Sequence, residues 1–404
     1  MTSVPVGRLE RPIRPELSLA LLSVQHALIH GQAALYPIIY LAVSAEFAIG
    51  AESIAILATV GSIATGLIQL GFGALTRRFS HRVLIGSGAI MLGATTAVQA
   101  VVPSFGPFAA TNIISKLGGA PQHPVGNALL TEQFPRHRWG TAISAHIAGG
   151  NVGTVLAGVV ATGLVTALGW RQTTVVIGLP AVLMGVLIFG LIRSDANVDV
   201  DDQPTVRAAY RQVFGDRDLR WLFLSSILGG GARGLGVLNV FVPLYLVKVV
   251  GVDEGTLGAM YAVLLIMSVP GPLVAGWLSD RIGRKVMIVT VYVGGAIGLA
   301  WFVLAGSSPS LLWAGIVILS VFSFVESPQL QALLADVSPG KIRDAAYSTY
   351  FALAFGVGSL WGLLYGLVIG FAGEQQGLGL VFLVMAAANV AASFTVLPIR
   401  LGRR

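Results

Sequence analysis

The sequence predicts an all-α membrane protein whose twelve transmembrane helices form two pseudo-symmetric six-helix bundles. Three observations predict it. Of 404 residues, 55% are hydrophobic and only 11% are charged, against about 25% charged in soluble domains. Apolar stretches of roughly the 20 residues that cross a hydrocarbon layer recur along the whole chain. Shifting the sequence by 203 or 204 residues superposes features of its first half on its second. A soluble enzyme is excluded. The chain has no cysteine, so disulfides, thiolate metal sites, iron–sulfur clusters and cysteine nucleophiles are excluded too. Its 51 glycines suit helices whose backbones approach closely inside a bilayer.

The spans are expected near 17–43, 53–75, 83–102, 105–130, 141–166, 172–192, 221–247, 256–278, 286–305, 310–334, 345–371 and 377–397. The head Met1–Glu16 is too long, acidic and proline-rich for a signal peptide's basic region, so the first span is expected to stay attached. The polar segment 193–220 separates a first bundle, 1–192, from a second, 221–404. It holds Asp195, Asp199, Asp201 and Asp202, and its stretch Thr205–Phe214 reads equally as a surface amphipathic helix or a solvated linker.

Basic residues resist translocation, so alternate loops reveal orientation. With both termini in the cytoplasm, 21 of the 25 Lys and Arg fall inside, from Arg8, Arg11 and Arg14 at one terminus to Arg400, Arg403 and Arg404 at the other. The formal charge of +7 therefore marks a membrane face, and no nucleic-acid partner is expected. In the repeat, Gly73-Ala-Leu-Thr-Arg77-Arg78-Phe79 falls on Gly276-Trp-Leu-Ser-Asp280-Arg281-Ile282, Pro124 on Pro328, and Asn127 on Gln331. Duplicated halves with a substrate site between them near the midplane are a transporter architecture.

Charge inside a span costs at least about 2.5–3.5 kcal/mol at the bilayer centre and should face a partner or water. Lys116, Arg233 and Glu326 are the charged residues at such depth, accompanied by His26, His30, His123 and His146. On a continuous helix Lys116, Ala120, His123 and Asn127 share a face, which makes a cavity-lining stripe; the alternative is a structural Lys116–Glu326 pair. Arg233 sits within Gly229-Gly-Gly-Ala-Arg233-Gly-Leu-Gly236, and its repeat mate Ile29 adjoins His30, so both side chains are expected at one pocket. Its planar fork suits carboxylate, phosphate or phosphonate; the alternative is packing with Glu326 as counter-ion. Glu326 is the first choice for carrying a coupled proton, with His30 and His123 as alternatives. Two fixed cations against one anion favour an anionic substrate.

The run Gly276-Trp-Leu-Ser-Asp280-Arg281-Ile-Gly283-Arg284-Lys285 resembles the signature loop of the major facilitator superfamily, and the twelve spans and the repeat extend that resemblance over the chain. The resemblance implies the fold of that superfamily and a gating role for Asp280, Arg281 and Arg284. Asp280 would meet a helix start in the other half, and the arginines nearby acids. The first-half copy has Arg77 where the aspartate belongs, which implies unequal locking of the two halves. His26-Ala-Leu-Ile-His30-Gly-Gln-Ala-Ala-Leu-Tyr36-Pro37, His123-Pro124 and Gly149-Gly-Asn151-Val-Gly153 resemble the fosmidomycin-resistance-like subgroup, although Thr154 stands where the drug-exporter signature has proline.

These readings converge on a secondary active transporter of a small organic anion, coupled to protons and working by alternating access. Arg233, Lys116, His30, His123 and Asn127 are the expected substrate contacts. A proton-driven drug efflux antiporter and a non-transporting receptor of the same fold are the alternatives. No enzymatic activity and no cofactor are expected. There is no phosphate-binding Gly-x-x-x-x-Gly-Lys-Ser/Thr loop, and no His/Asp/Glu cluster shows metal-ligand spacing along the chain. The short loops and the absence of an Asn-x-Ser/Thr sequon lean towards a bacterial inner membrane, with a monomer as the expected state.

Overall fold

The computed structural model describes residues 13–193 and 204–401. Arg8, Arg11, Asp195, Asp199, Asp201, Asp202, Arg403 and Arg404 lie outside the described residues, in which there is no β-strand. Eleven helical stretches among them are long and apolar enough to cross a membrane by length and composition. The remaining span is the fourth, 105–133, which is cut in its middle; with it the chain forms the twelve-helix fold.

The first half consists of α1 (Pro15–Phe47), α2 (Ala51–Leu75), α3 (His81–Val98), α4 (Phe105–Gly119), α5 (Pro124–Gln133) and α6 (Trp139–Leu191). Helices α4 and α5 make the fourth span, joined by a 3₁₀ turn over Ala120–Gln122. Helix α6 carries the fifth and sixth spans, separated by a sharp turn at Gly169, whose φ of 75° and ψ of 161° admit glycine far better than other residues. Next comes the short surface helix α7 (Val206–Gly215), capped by the Thr205 hydroxyl, which accepts from the amide of Ala208 at 3.2 Å.

The second half is more interrupted. Its seventh span is built from α8 (Arg217–Gly229) and α9 (Asn239–Tyr245), with 3₁₀ and π turns over 230–238. The eighth joins α10 (Glu254–Ile266) to α11 (Pro270–Ile282), and α12 (Arg284–Leu304) is the ninth. The tenth joins α13 (Pro309–Phe322) to α14 (Glu326–Val337), the eleventh joins α15 (Arg343–Gly356) to α16 (Leu360–Ala372), and α17 (Glu374–Val396) is the last. Broken helices leave backbone groups without partners, tolerable at membrane depth only where protein or cavity water satisfies them. Here the two breaks satisfy each other, because the amide of Gly234 donates to the carbonyl of Ser323 at 2.9 Å.

The close crossing of the first and fifth spans explains the run Gly149-Gly150-Asn151-Val152-Gly153. A Cβ on Gly153 would lie 1.9 Å from the carbonyl oxygen of Ala27, and one on Gly150 would lie 2.8 Å from Nε2 of His26. Only bare backbone lets α6 press against α1 there. That crossing places His26 and His146 side by side.

Candidate functional site

A cavity of about 140 Å³ lies between the halves, lined by His26, His30 and His123 on one side and by Arg233, Glu326, Tyr350 and Phe351 on the other. On the second-half wall, Glu326 begins α14, where the helix dipole favours negative charge. Its carboxylate takes Nε of Arg233 at 3.2 Å and Nη2 at 3.4 Å. The hydroxyl of Tyr292 lies 3.2 Å from Oε1, a reach made possible by Gly229, whose Cβ would sit 2.4 Å from that ring. The Glu326 side chain is 7% exposed and that of Arg233 21%. Arg233 therefore spends one edge of its fork on Glu326, while its Nη1 has no hydrogen-bond partner among the described residues.

The first-half wall is a cluster of imidazoles from three helices. Nδ1 of His26 lies 2.8 Å from the carbonyl oxygen of His146, which can only accept, so a neutral His26 carries its proton there. Its Nε2 then accepts from Nε2 of His30 at 3.0 Å. That leaves Nδ1 of His30 to accept from the Thr154 hydroxyl at 3.4 Å. The rings of His123 and His146 complete the group, with centroids 4.6 and 4.5 Å from that of His26. His26, His30 and His123 can each present one nitrogen so that all three lie within 4.8 Å of one another. The expectation that no His/Asp/Glu cluster has metal-ligand spacing is corrected here: His26 and His30 stand one turn apart on α1, and His123 joins them from the break in the fourth span.

Of the predicted substrate contacts, Arg233, His30 and His123 line the cavity, as does Glu326. Lys116 does not. Its side chain lies along α2 at Gly61, where a Cβ would be 3.0 Å from Nζ, and it makes no ion pair among the described residues. The expected pocket shared by Lys116 and Arg233 is therefore absent, and so is a Lys116–Glu326 pair. The physical reason is the 3₁₀ turn at Ala120–Gln122, which breaks the helical register linking Lys116 to His123. Asn127 is fully buried and is not a wall residue; its amide donates to Oε1 of Gln331 at 2.6 Å. Ser327, Gln331, Phe351, Phe355 and Asn151 line the cavity although sequence reasoning gave them no site role. The repeat pairing of Asn127 with Gln331 was the one signal that could have found any of them.

Beyond the cavity, towards the end of the bundle where α1 begins and α17 ends, charged groups join the halves. The carboxylate of Asp280 accepts the amides of Gly140 at 3.0 Å and Thr141 at 2.8 Å, in the first turn of α6, and the Thr141 hydroxyl at 2.6 Å. Arg284 contacts Asp280 at 2.6 Å and Asp336 at 2.8 Å, and Asp336 also takes Arg136 at 2.9 Å. Arg281 departs from the expectation of pairing with an acid: it lies over the Trp277 ring, 3.6 Å from its centroid, and donates to that residue's carbonyl. Between these links and the cavity, Gln329 donates to Ser144 at 3.2 Å, and Asn151 to the carbonyl of Ser268 at 2.5 Å.

Interrupted helices around a cavity that holds ionisable side chains, closed at one end by the Asp280 hydrogen bonds and the Arg136–Asp336 ion pair between the halves, are the architecture of a membrane carrier. A model described as Major Facilitator Superfamily matches residues 22–362 and 234–403. The chain belongs to that superfamily, and the signature-loop sequence Gly276–Lys285 joins the eighth and ninth spans. It is similar to the cis,cis-muconate transport protein of Acinetobacter baylyi, with 25% identity over 323 residues covering 77% of this chain and 76% of the relative. It is also similar to the probable L-galactonate transporter of Escherichia coli, 24% identical over 253 residues, or 59% of this chain and 56% of that relative's length. Among solved structures, the transporter FucP in the outward conformation superposes with a TM-score of 0.79 at 15% identity, covering 95% of this chain and 99% of that one. That likeness speaks to the fold alone.

Proposed function

We propose that this chain is a proton-coupled carrier of a small organic anion, and that Arg233 grips the anion in exchange with Glu326. The observation that carries the reading is the half-used fork of Arg233, a cavity-lining residue whose Nε and Nη2 are held by the Glu326 carboxylate while its Nη1 has no hydrogen-bond partner among the described residues. Muconate and galactonate, named in two relatives, are carboxylates, and a guanidinium edge binds a carboxylate bidentately.

The exchange conserves charge. In the empty site Arg233 and Glu326 neutralise each other. If Glu326 takes up a proton and releases its edge of the fork, an incoming carboxylate restores neutrality with one proton and one anion bound. With a monocarboxylate neither state strands a net charge at membrane depth, where it would be costly, and a dicarboxylate would need a second proton. Lower pH favours the protonated carboxyl, so anion affinity should tighten as pH falls.

The loops at the end where α1 begins and α17 ends carry most of the basic residues, which supports a cytoplasmic placement in a bacterial inner membrane. With the halves joined at that end, the cavity would open outward, and residues 1–192 and 221–404 would rock about it as two bundles, in a monomer, with Asp280 and Arg284 as gate residues.

The test is flux into proteoliposomes under an imposed pH gradient. Glu326→Gln should keep counterflow exchange of the anion but lose gradient-driven accumulation. Arg233→Lys should weaken binding by losing the fork, and Arg233→Ala should nearly abolish it. Undiminished accumulation by Glu326→Gln, or equal affinity in all three proteins, overturns the reading. Inside-out and right-side-out vesicles separate uptake from the efflux antiport alternative. Binding without flux for every anion tried would indicate a receptor.

A further inference from the structure

We propose that His26, His30 and His123 bind a borderline divalent transition-metal cation of the zinc class, with an open coordination position facing the cavity. The site lies on the first-half wall and does not depend on the anion reading of Arg233. Three imidazole nitrogens already lie within 4.8 Å of one another. Metal–nitrogen bonds of about 2.0–2.1 Å in a tetrahedral site set neighbouring ligand nitrogens about 3.3–3.4 Å apart. The Nε2 atoms of His26 and His30 are 3.0 Å apart, so a small opening of that pair admits the ion.

The surrounding hydrogen bonds fit ligation. Nδ1 of His26 donates to the carbonyl of His146 at 2.8 Å, the outer contact that orients a ligating histidine and turns its other nitrogen's lone pair to the metal. His30 must lose its proton from Nε2 to ligate and can carry one on Nδ1 instead. There the Thr154 hydroxyl stands 3.4 Å away, able to accept from the ring while donating to the carbonyl of Gly150 at 3.4 Å. One proton leaves Nε2 and one is held at Nδ1, so the ring stays neutral. Three nitrogen donors without a carboxylate select zinc, nickel, cobalt or copper over magnesium and calcium. All three histidines line the cavity, from which water or an anion can complete the sphere.

The test uses the purified full chain, free of any histidine tag, titrated with Co²⁺ alone. One equivalent should give the intense visible bands of a four-coordinate ion, displaced by Zn²⁺ and unaffected by Mg²⁺ or Ca²⁺. His30→Ala and His123→Ala should each weaken binding at least about tenfold. His81→Ala should leave it unchanged, which excludes the separate group of His81, Glu132 and Asp344. His30→Cys, in a chain with no other cysteine, should keep the ion and add a sulfur-to-cobalt charge-transfer band. Absence of four-coordinate bands in the unmodified chain, or bands that persist unchanged in both alanine variants and gain no sulfur feature in the cysteine variant, overturns the proposal.

Discussion

The repeat builds the joint between the halves twice, and the two versions differ in the cation at their centre. In the second half Arg284 bridges Asp280 and Asp336; at the positions 203 and 204 residues earlier, His81 faces Glu132. His81 also reaches across to Asp344 of the second half, with both contacts at 3.2 Å. The Arg284 version is dry: Arg284, Asp280 and Asp336 are each 7–8% exposed. The His81 version is wetter, with Glu132 at 48% and Asp344 at 30%. One copy is thus a permanent charge in a low-dielectric setting and the other a titratable ring, itself only 10% exposed, whose acids reach solvent. Duplication preserved the place of the joint while its strength and pH response diverged.

Removing a partner from a buried charge group leaves the others unpaired and costs about 3–5 kcal/mol, whereas an exposed pair contributes about 0.2–1 kcal/mol. The comparison breaks most directly at Asp280. Asp280→Ala removes the acceptor of three hydrogen bonds from α6 and leaves Arg284 one of its two acids, Asp336. Spin labels at Phe79→Cys and Ile282→Cys, both exposed and on opposite halves, should then report a longer and broader distance at this end. An unchanged distribution would show that the joint is held elsewhere.

A smaller effect is expected at Gly140. A Cβ there would lie 2.2 Å from Nη1 of Arg284 and 2.7 Å from Oδ1 of Asp280. Gly140→Ala must push the pair away from the helix start, costing about 1–3 kcal/mol. Because it acts through the same contacts, its effect on the label distance should nearly vanish in the Asp280→Ala background. Full additivity would place the strain outside the Asp280 joint.

Much of the fold could be read from the sequence because a bilayer imposes a length on every apolar run and a duplication repeats it. The candidate site was legible where the bilayer makes polarity expensive: Arg233, Glu326, His30 and His123 stand out as ionisable groups in apolar spans. What could not be read was direction. Lys116 was placed with His123 by assuming one unbroken helix, and a 3₁₀ turn of three residues removed that face. The convergence of His26, His30 and His123 depends on which helix the glycines of the fifth span press against, and a glycine run announces close packing without naming its partner. Asn127 and Gln331, repeat mates 204 residues apart, touch each other. Equivalent residues meet where they lie near the axis relating the halves, so the internal repeat held more three-dimensional information than the charge count did.

The smallest effect tests the divergence itself. A protonated His81 donates from both ring nitrogens and can hold Glu132 and Asp344 together, whereas the neutral ring has one donor and must release one of them. As pH rises through the loss of that proton, the His81 joint should weaken by about 1 kcal/mol, because Glu132 and Asp344 are partly exposed and their attraction is screened. The label distance in the unmodified background should therefore broaden slightly at high pH. His81→Arg supplies the permanent cation of the other copy and should abolish this pH response without lengthening the distance; His81→Gln should fix the weaker state at every pH. If the pH response survives in His81→Arg, the titrating group lies elsewhere and the two joints differ in exposure alone.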